Sequence, residues 1–347
     1  MIQNKSRDMH ETEHDAIDTH RVSLKLSPTA VALHLRSKLQ RRRMAKDLAE
    51  TQGNDYKCAR FHLTLKINYK HMKENKILVL GGTGKTGRRV AEKLTGLGKA
   101  VRVGSRSEKP PFDWENQETW NDTLEGMNAV YITFQPDLAV PGASETIEAF
   151  TSLAVKKGLQ KMVLLSGRGE KEAQVCEQIV MDAGIDWTIV RASWFNQNFS
   201  ESFLLDPILA GQIALPRGET LEPFVDTDDI ADVVVASLLE DQHDGKIYEL
   251  TGPRLLTFKQ ITAEISKATG RDIKFKPLSI DEYKNMLREH QIPEDFLWLI
   301  DYLFTEVLDG RNSSVTDDIE KVLGRKAKDF SEYARETVAA GIWEPAN

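Results

Sequence analysis

The residues best suited to chemistry in this 347-residue chain lie between positions 77 and 94. Ile77-Leu78-Val79-Leu80 runs directly into Gly81-Gly82-Thr83-Gly84-Lys85-Thr86-Gly87, and Arg88-Arg89-Val90-Ala91-Glu92-Lys93-Leu94 follows. The pattern is a buried strand, a glycine-rich turn and an amphipathic helix. Such a unit aims backbone N–H groups and the positive end of a helix at a phosphate, while its glycines let a pyrophosphate approach the main chain. The spacing Gly81-x-x-Gly84-x-x-Gly87 therefore points to a dinucleotide. A nucleoside-triphosphate loop, which Gly84-Lys85-Thr86 imitates, needs a glycine where Val79 stands.

The second strand, Ala100-Val101-Arg102-Val103-Gly104, decides which dinucleotide. An acidic residue at its end would accept ribose hydroxyls and repel a ribose phosphate, whereas arginine attracts that phosphate. Here the chain reads Gly104-Ser105-Arg106-Ser107, with Glu108 the nearest carboxylate, and the expectation is NADP(H).

Elements that would hold such a site alternate along the chain from Ile77 onward, as short apolar strands and helical stretches. A third strand is expected near Phe112-Asp113-Trp114, a fourth at Ala129–Phe134, a fifth at Met162–Ser166, a sixth at Trp187–Val190 and another at Lys246–Leu250. A helix after the fifth should bury Val175, Cys176 and Ile179. Right-handed crossovers then give an α/β, Rossmann-type doubly wound parallel sheet. Asp226 to Asp229 place carboxylates at the start of a helix through Ala236, where they suit its positive end. Thr257-x-x-Gln260 and Ser279-x-x-Glu282 have the form of capping boxes opening helices of a smaller C-terminal α+β region. Phe296–Phe304 is apolar on most sides and should be buried. The expected division is 72–250 for cofactor and 251–347 for substrate, partly interleaved with 191–225.

Residues 1–71 differ in character. They carry fourteen Lys/Arg against eight Asp/Glu, a net of +6, whereas the remaining 32 Lys/Arg and 45 Asp/Glu leave −13. They also hold six of the eight histidines. This segment reads as a poorly ordered basic extension, with Met72 standing where a nucleotide-binding domain of this type would begin. Within it, His10-Glu11-Thr12-Glu13-His14 with His20 imitates a metalloprotease, but only nine residues precede it and Ile17 replaces the glycine needed to turn the chain. No metal is expected. Arg41-Arg42-Arg43 is an isolated basic triplet and reads as solvated charge, so no nucleic-acid partner is expected. No apolar run has membrane-spanning length, and two cysteines, Cys58 and Cys176, suggest no disulfide framework; a cytoplasmic setting is the default.

Ordinary short-chain dehydrogenases use a Tyr-x-x-x-Lys pair on the helix after the fifth strand to pass a proton. That region here, Ser166 to Gln178, has no tyrosine. Tyr69-x-x-x-Lys73 matches formally but precedes the first strand. The chain resembles the NmrA-like atypical short-chain dehydrogenases, and within them the ergot-alkaloid reductases of the agroclavine dehydrogenase and festuclavine synthase type. The resemblance covers roughly residues 76 to 347. It rests on the loop at 81 to 86, Val103-Gly104-Ser105-Arg106-Ser107, Phe112-Asp113-Trp114, Leu164-Leu165-Ser166, Arg191-Ala192-Ser193-Trp194-Phe195-Asn196-Gln197-Asn198-Phe199, and Gly252-Pro253-x-Leu255-Leu256-Thr257.

The resemblance implies an NADP-dependent reductase acting on an electrophile that is already activated, such as an iminium ion or a quinone. It also implies roles by position. Gly81, Gly82, Thr83, Gly84, Lys85, Thr86 and Gly87 would wrap the pyrophosphate, Ser105 and Arg106 the adenosine phosphate, and Asp113 and Trp114 the adenine edge. Thr133, Phe134 and Gln135 would border the nicotinamide ribose. Ser166 takes the place of the usual catalytic serine, with capping of the next helix as its plain structural alternative. Trp194, Phe195 and Phe199 would form an aromatic wall able to attract a cation. The family also contains non-catalytic regulators that sense a dinucleotide and change their protein partners, and loss of the tyrosine fits these equally well.

Overall fold

A computed structural model describes residues 75–345; the readings made on residues 1–71 and on Tyr69-x-x-x-Lys73 lie outside the described residues. Six parallel strands form the main sheet: β1 (Lys76–Leu80), β2 (Ala100–Gly104), β3 (Ala129–Ile132), β4 (Lys161–Gly167), β5 (Asp186–Ala192) and, later in the chain, β7 (Lys246–Leu250). Their order is β2-β1-β3-β4-β5-β7, with Leu80 opposite Gly104, Val79 opposite Tyr131 and Gly167 opposite Ala192. The direction of winding reverses between β1 and β3, which places a ligand crevice at the carboxyl ends of these strands.

Period-two alternation along β1 divides the core. Leu78 and Leu80 join Val130, Ile132, Met162 and Leu164 on one face, packed against helices α3 (Ala143–Lys156) and α4 (Lys171–Met181). Ile77 and Val79 join Ala129, Tyr131, Val163 and Val190 on the other, under α1 (Lys85–Gly96) and α6 (Thr227–Leu239). Both faces are covered, so every central strand reads as a continuous apolar run.

The expected third strand is absent. Residues 112–114 form a turn closed by a single bridge between Asp113 and Asn116, leading into the short α2 (Trp120–Leu124). Its aromatic residues fill the crossover instead: Trp114 lies 4.9 Å from Phe112, 5.0 Å from Phe134 and 5.1 Å from Phe150 between ring centroids. The helix α4 also differs in part. Ala173, Cys176, Glu177 and Val180 form its inner stripe, so Val175, about 100° away from Cys176, is 54% exposed.

The C-terminal part builds its own core around Phe199, Phe224, Phe258, Phe304, Phe330 and Trp343, with a small parallel pair of β6 (Gln212–Leu215) and β8 (Lys274–Pro277). Helix α5 (Leu205–Leu209) precedes β6. Both expected capping boxes are present, at Thr257 for α7 (Phe258–Thr269) and at Ser279 for α8 (Ile280–Glu289). Asp226 caps α6, its carboxylate accepting the Asp228 N–H at 2.8 Å. The apolar stretch near residue 300 forms α9 (Glu294–Tyr302) and a π turn. Leu297, Leu299 and Phe304 are buried as expected, but Phe296 is 50% and Trp298 46% exposed. Helices α10 (Asp318–Leu323) and α11 (Phe330–Ala339) complete the described chain, in which no helix is long and apolar enough to cross a membrane.

Candidate active site

Two cavities lie along the carboxyl edge of the sheet. The outer one, about 650 Å³, is lined by Gly81 and Thr83 after β1, Ser105 and Arg106 after β2, Asp113 and Trp114 in the turn, and Thr133 and Gln135 after β3. The inner one, about 400 Å³, takes Lys85, Phe134, Ser166, Trp194 and Phe195, together with Asp137, Arg168, Glu170 and Glu222. Pro136 and Phe296 line both.

The glycine loop is shaped by contacts that no side chain would permit. Gly81 has φ of +61°, and a Cβ on Gly87 would overlap the Gly81 carbonyl, so α1 starts directly against the turn. A Cβ on Gly82 would meet Val103 Cγ1 at 2.6 Å. Gly84 precedes α1 without any side-chain cap, and the first turn carries no acidic residue. That end of the helix keeps the donors and partial positive charge an anion needs, and Lys85 adds a cation; the donor set fits a pyrophosphate. Burial lowers the Lys85 pKa, against the raising pull of Glu201. Gly82, Gly84, Thr86 and Gly87 shape the loop without lining either cavity; Thr86 Oγ1 instead accepts the Tyr131 hydroxyl at 3.0 Å.

Backbone and side-chain bonds fix the rest of the outer wall. Thr133 donates its hydroxyl to the Leu80 carbonyl at 3.0 Å and accepts the Trp114 indole N–H on its own carbonyl at 3.0 Å. Asp113 holds the turn, its carboxylate accepting the Glu115 N–H at 3.1 Å. Arg106 is exposed, and Ser105 and Ser107 share a 3.0 Å hydrogen bond beside it. Glu108 does not line the cavity.

In the inner cavity the loop after β5 is pinned by Val225, whose N–H donates to Trp194 O and whose carbonyl accepts the Asn196 N–H, each at 2.8 Å. This turns Trp194 and Phe195 into the wall. Phe199 is not part of it: its side chain is fully buried in the C-terminal core, edge-on to Phe224 and Phe330, because the 3-10 turn at Asn196–Phe199 rotates it away. Nor does Ser166 cap α4. Its hydroxyl donates at 2.6 Å to Glu177 Oε1, midway along that helix, and Arg191 binds the same carboxylate with its closest contact at 2.6 Å.

Three carboxyl groups of the inner cavity belong to no sequence motif. Glu170 and Asp137 are hydrogen bonded to each other; burial and the Asp137 charge push Glu170 well above the carboxylate range, so it holds the shared proton. Asp137 in turn accepts the Ala139 N–H at 2.8 Å. Glu222 is 1% exposed, and its Oε1 has no hydrogen-bond partner among the described residues. Burial raises its pKa to about 7, although the Trp194 N–H and the Arg168 guanidinium pull it down. No spacing rule links 137, 170 and 222, and the only signal was the unusual placement of Glu222 before the apolar Pro223-Phe224-Val225.

The chain has recognisable relatives. The profile of the NmrA-like family matches residues 170–337. The prestalk A differentiation protein A of Dictyostelium discoideum is 30% identical over 278 residues, covering 75% of this chain and 92% of that protein. Festuclavine synthase I of Penicillium roqueforti is 30% identical over 285 residues, covering 74% and 96%. Among solved structures, an NADPH-dependent quinone oxidoreductase from Escherichia coli superposes with a TM-score of 0.63, at 18% identity, over 76% of this chain and 99% of that one. On the family profile and the 30% identity to a relative matched over 75% of this chain, the chain belongs to the NmrA-like family.

Proposed function

We propose that the chain is an NADPH-dependent reductase that serves pre-activated electrophiles, iminium ions or quinones, without a tyrosyl acid. The observation that carries this reading is the pair of cavities meeting at Pro136 and Phe296 along the carboxyl edge of the sheet. One suits an adenosine phosphate, the other a flat acceptor. In the outer cavity Arg106 and the two serines would hold the 2′-phosphate, and Trp114 would flank the adenine. The uncapped start of α1 and Lys85 would hold the pyrophosphate. Bound there, the reduced nicotinamide supplies a hydride.

The chain's own contribution is binding and orientation. Trp194, Phe195 and Phe134 offer aromatic faces, and Asp137 adds negative charge, which together suit a cationic acceptor. An iminium ion becomes a neutral amine on receiving the hydride and requires no proton. Among the described residues lining the inner cavity there is no tyrosine. Ser166, committed to Glu177, serves to fix the cavity floor rather than to move a proton.

A second reading, a dinucleotide sensor, draws on the missing Tyr-x-x-x-Lys pair and on the likeness to a differentiation protein. Purified protein mixed with NADPH and a panel of iminium salts, quinones and azo dyes separates the two. Consumption of cofactor with any of them supports the reductase. No turnover, with partner binding that differs between NADP and NADPH, supports the sensor.

A further inference from the structure

We propose that Glu222 is a general acid of the inner cavity, giving its proton to neutral acceptors such as quinones as they are reduced. The inference rests on the reductase reading above and extends it to a residue and a substrate class. Three observations on the geometry carry it. Glu222 as a residue is 1% exposed yet lines the cavity. Among the described residues its Oε1 has no hydrogen-bond partner at normal distance, and the Trp194 N–H and Ser193 hydroxyl are the neutral donors nearest the carboxyl group, an arrangement that suits a group awaiting a ligand better than a buried carboxylate. Its backbone is clamped on both sides, the N–H donating to Leu256 O at 3.0 Å and the carbonyl accepting the Leu256 N–H at 2.9 Å, so the residue has a fixed anchor at the cavity wall.

The other candidates around the cavity are already engaged. The Ser166 hydroxyl donates to Glu177 Oε1 at 2.6 Å. Glu170 shares its proton with Asp137. Lys85 stands at the start of α1, where the pyrophosphate would take it. The charged group facing Glu222 is Arg168, whose guanidinium is otherwise held by Glu249 at 3.0 Å and by the carbonyls of Asn312 and Ser314, each at 2.8 Å. Burial outweighs the pull of Arg168 and leaves the acid with a pKa of about 7, where it is protonated often enough to give a proton and basic enough afterwards to regain one.

The step balances. Reduction of a quinone takes one hydride and one proton and yields the hydroquinone; the hydride comes from the nicotinamide, which is oxidised. As the second oxygen of the product gains its hydrogen, the O–H bond of Glu222 breaks, and the carboxylate left behind recovers a proton from solvent. An iminium acceptor takes the hydride alone.

The test compares wild-type protein with Glu222→Gln, using NADPH with menadione and with an N-methyl dihydroisoquinolinium salt. The ratio of quinone to iminium kcat/KM is expected to fall about 100-fold in the variant. In the wild type, quinone reduction should decline as pH rises through about 7, while iminium reduction should not. Infrared difference spectra of the protein without acceptor supply a readout independent of turnover: a carboxylic-acid C=O band that titrates near 7 and vanishes in Glu222→Gln. An unchanged ratio, or the absence of that band, overturns the proposal while leaving the reductase intact. If the variant does not fold, the wild-type pH profiles and the infrared titration decide. A wild-type protein that reduces neither acceptor overturns the reductase reading and the acid with it.

Discussion

The outer cavity is walled by residues that directly follow β1, β2 and β3 and by one turn, and its single arginine, Arg106, is exposed. The inner cavity gathers side chains from β4, the loops after β3 and β5, the segment at Glu222 and α9, and it keeps Glu170 and Glu222 below the surface. The first can be assembled by backbone geometry alone. The second depends on how distant segments pack, and it places ionisable groups where solvation is poor. Binding in the outer cavity should therefore respond to single local changes, whereas changes in the inner one should also register in the stability of the fold.

The largest effect is expected at Arg191, which pairs with the fully buried Glu177 beneath the inner cavity. Arg191→Met leaves that carboxylate without its cation and should cost about 3–5 kcal/mol in urea unfolding. A loss below about 1 kcal/mol would mean that the buried pair does not organise this region.

Next is the pH dependence of stability at Glu222. Its pKa in the fold, about 7, lies above the ordinary 4.5, so the folded state holds an extra proton between those values. The stabilisation is present in full below 4.5 and is lost as pH rises through 7. The stability of Glu222→Gln relative to wild type should accordingly improve by up to about 3 kcal/mol on going from pH 4.5 to above pH 7. A difference that stays flat across this window would show that the carboxyl is solvated.

In the outer cavity, Arg106→Ala should weaken NADPH about 10- to 100-fold by calorimetry and barely alter NADH. Equal losses for the two would remove the basis for choosing the phosphorylated cofactor. The smallest effect is expected where the cavities meet. Phe296 is half-exposed, so Phe296→Ala should leave stability within about 0.5 kcal/mol and raise KM for cofactor and acceptor together by a few fold.

The same contrast governs what the residues alone revealed. The glycine loop, the strand that ends at Gly104 and both capping boxes are local: their spacing specifies their geometry, and the structure has them where the spacing put them. The turn at 112–114 read as a strand because its aromatic residues resemble strand formers, yet they are consumed by packing on Phe134 and Phe150. Phe199 has the right composition for a cavity wall, but one turn of 3-10 helix sends it into the core. Asp137, Glu170 and Glu222 were silent because they converge only when β3, β4 and the segment before α6 are assembled. Val175 and Phe296 show the converse, apolar residues left exposed because only one face of each helix meets the core.

The most direct test of the central claim is a crystal structure of the protein with NADPH. The account predicts the adenosine phosphate at Arg106, the pyrophosphate at the start of α1 and the nicotinamide facing Ser166 and Trp194. A cofactor bound elsewhere, or a nicotinamide excluded from the inner cavity, would contradict it.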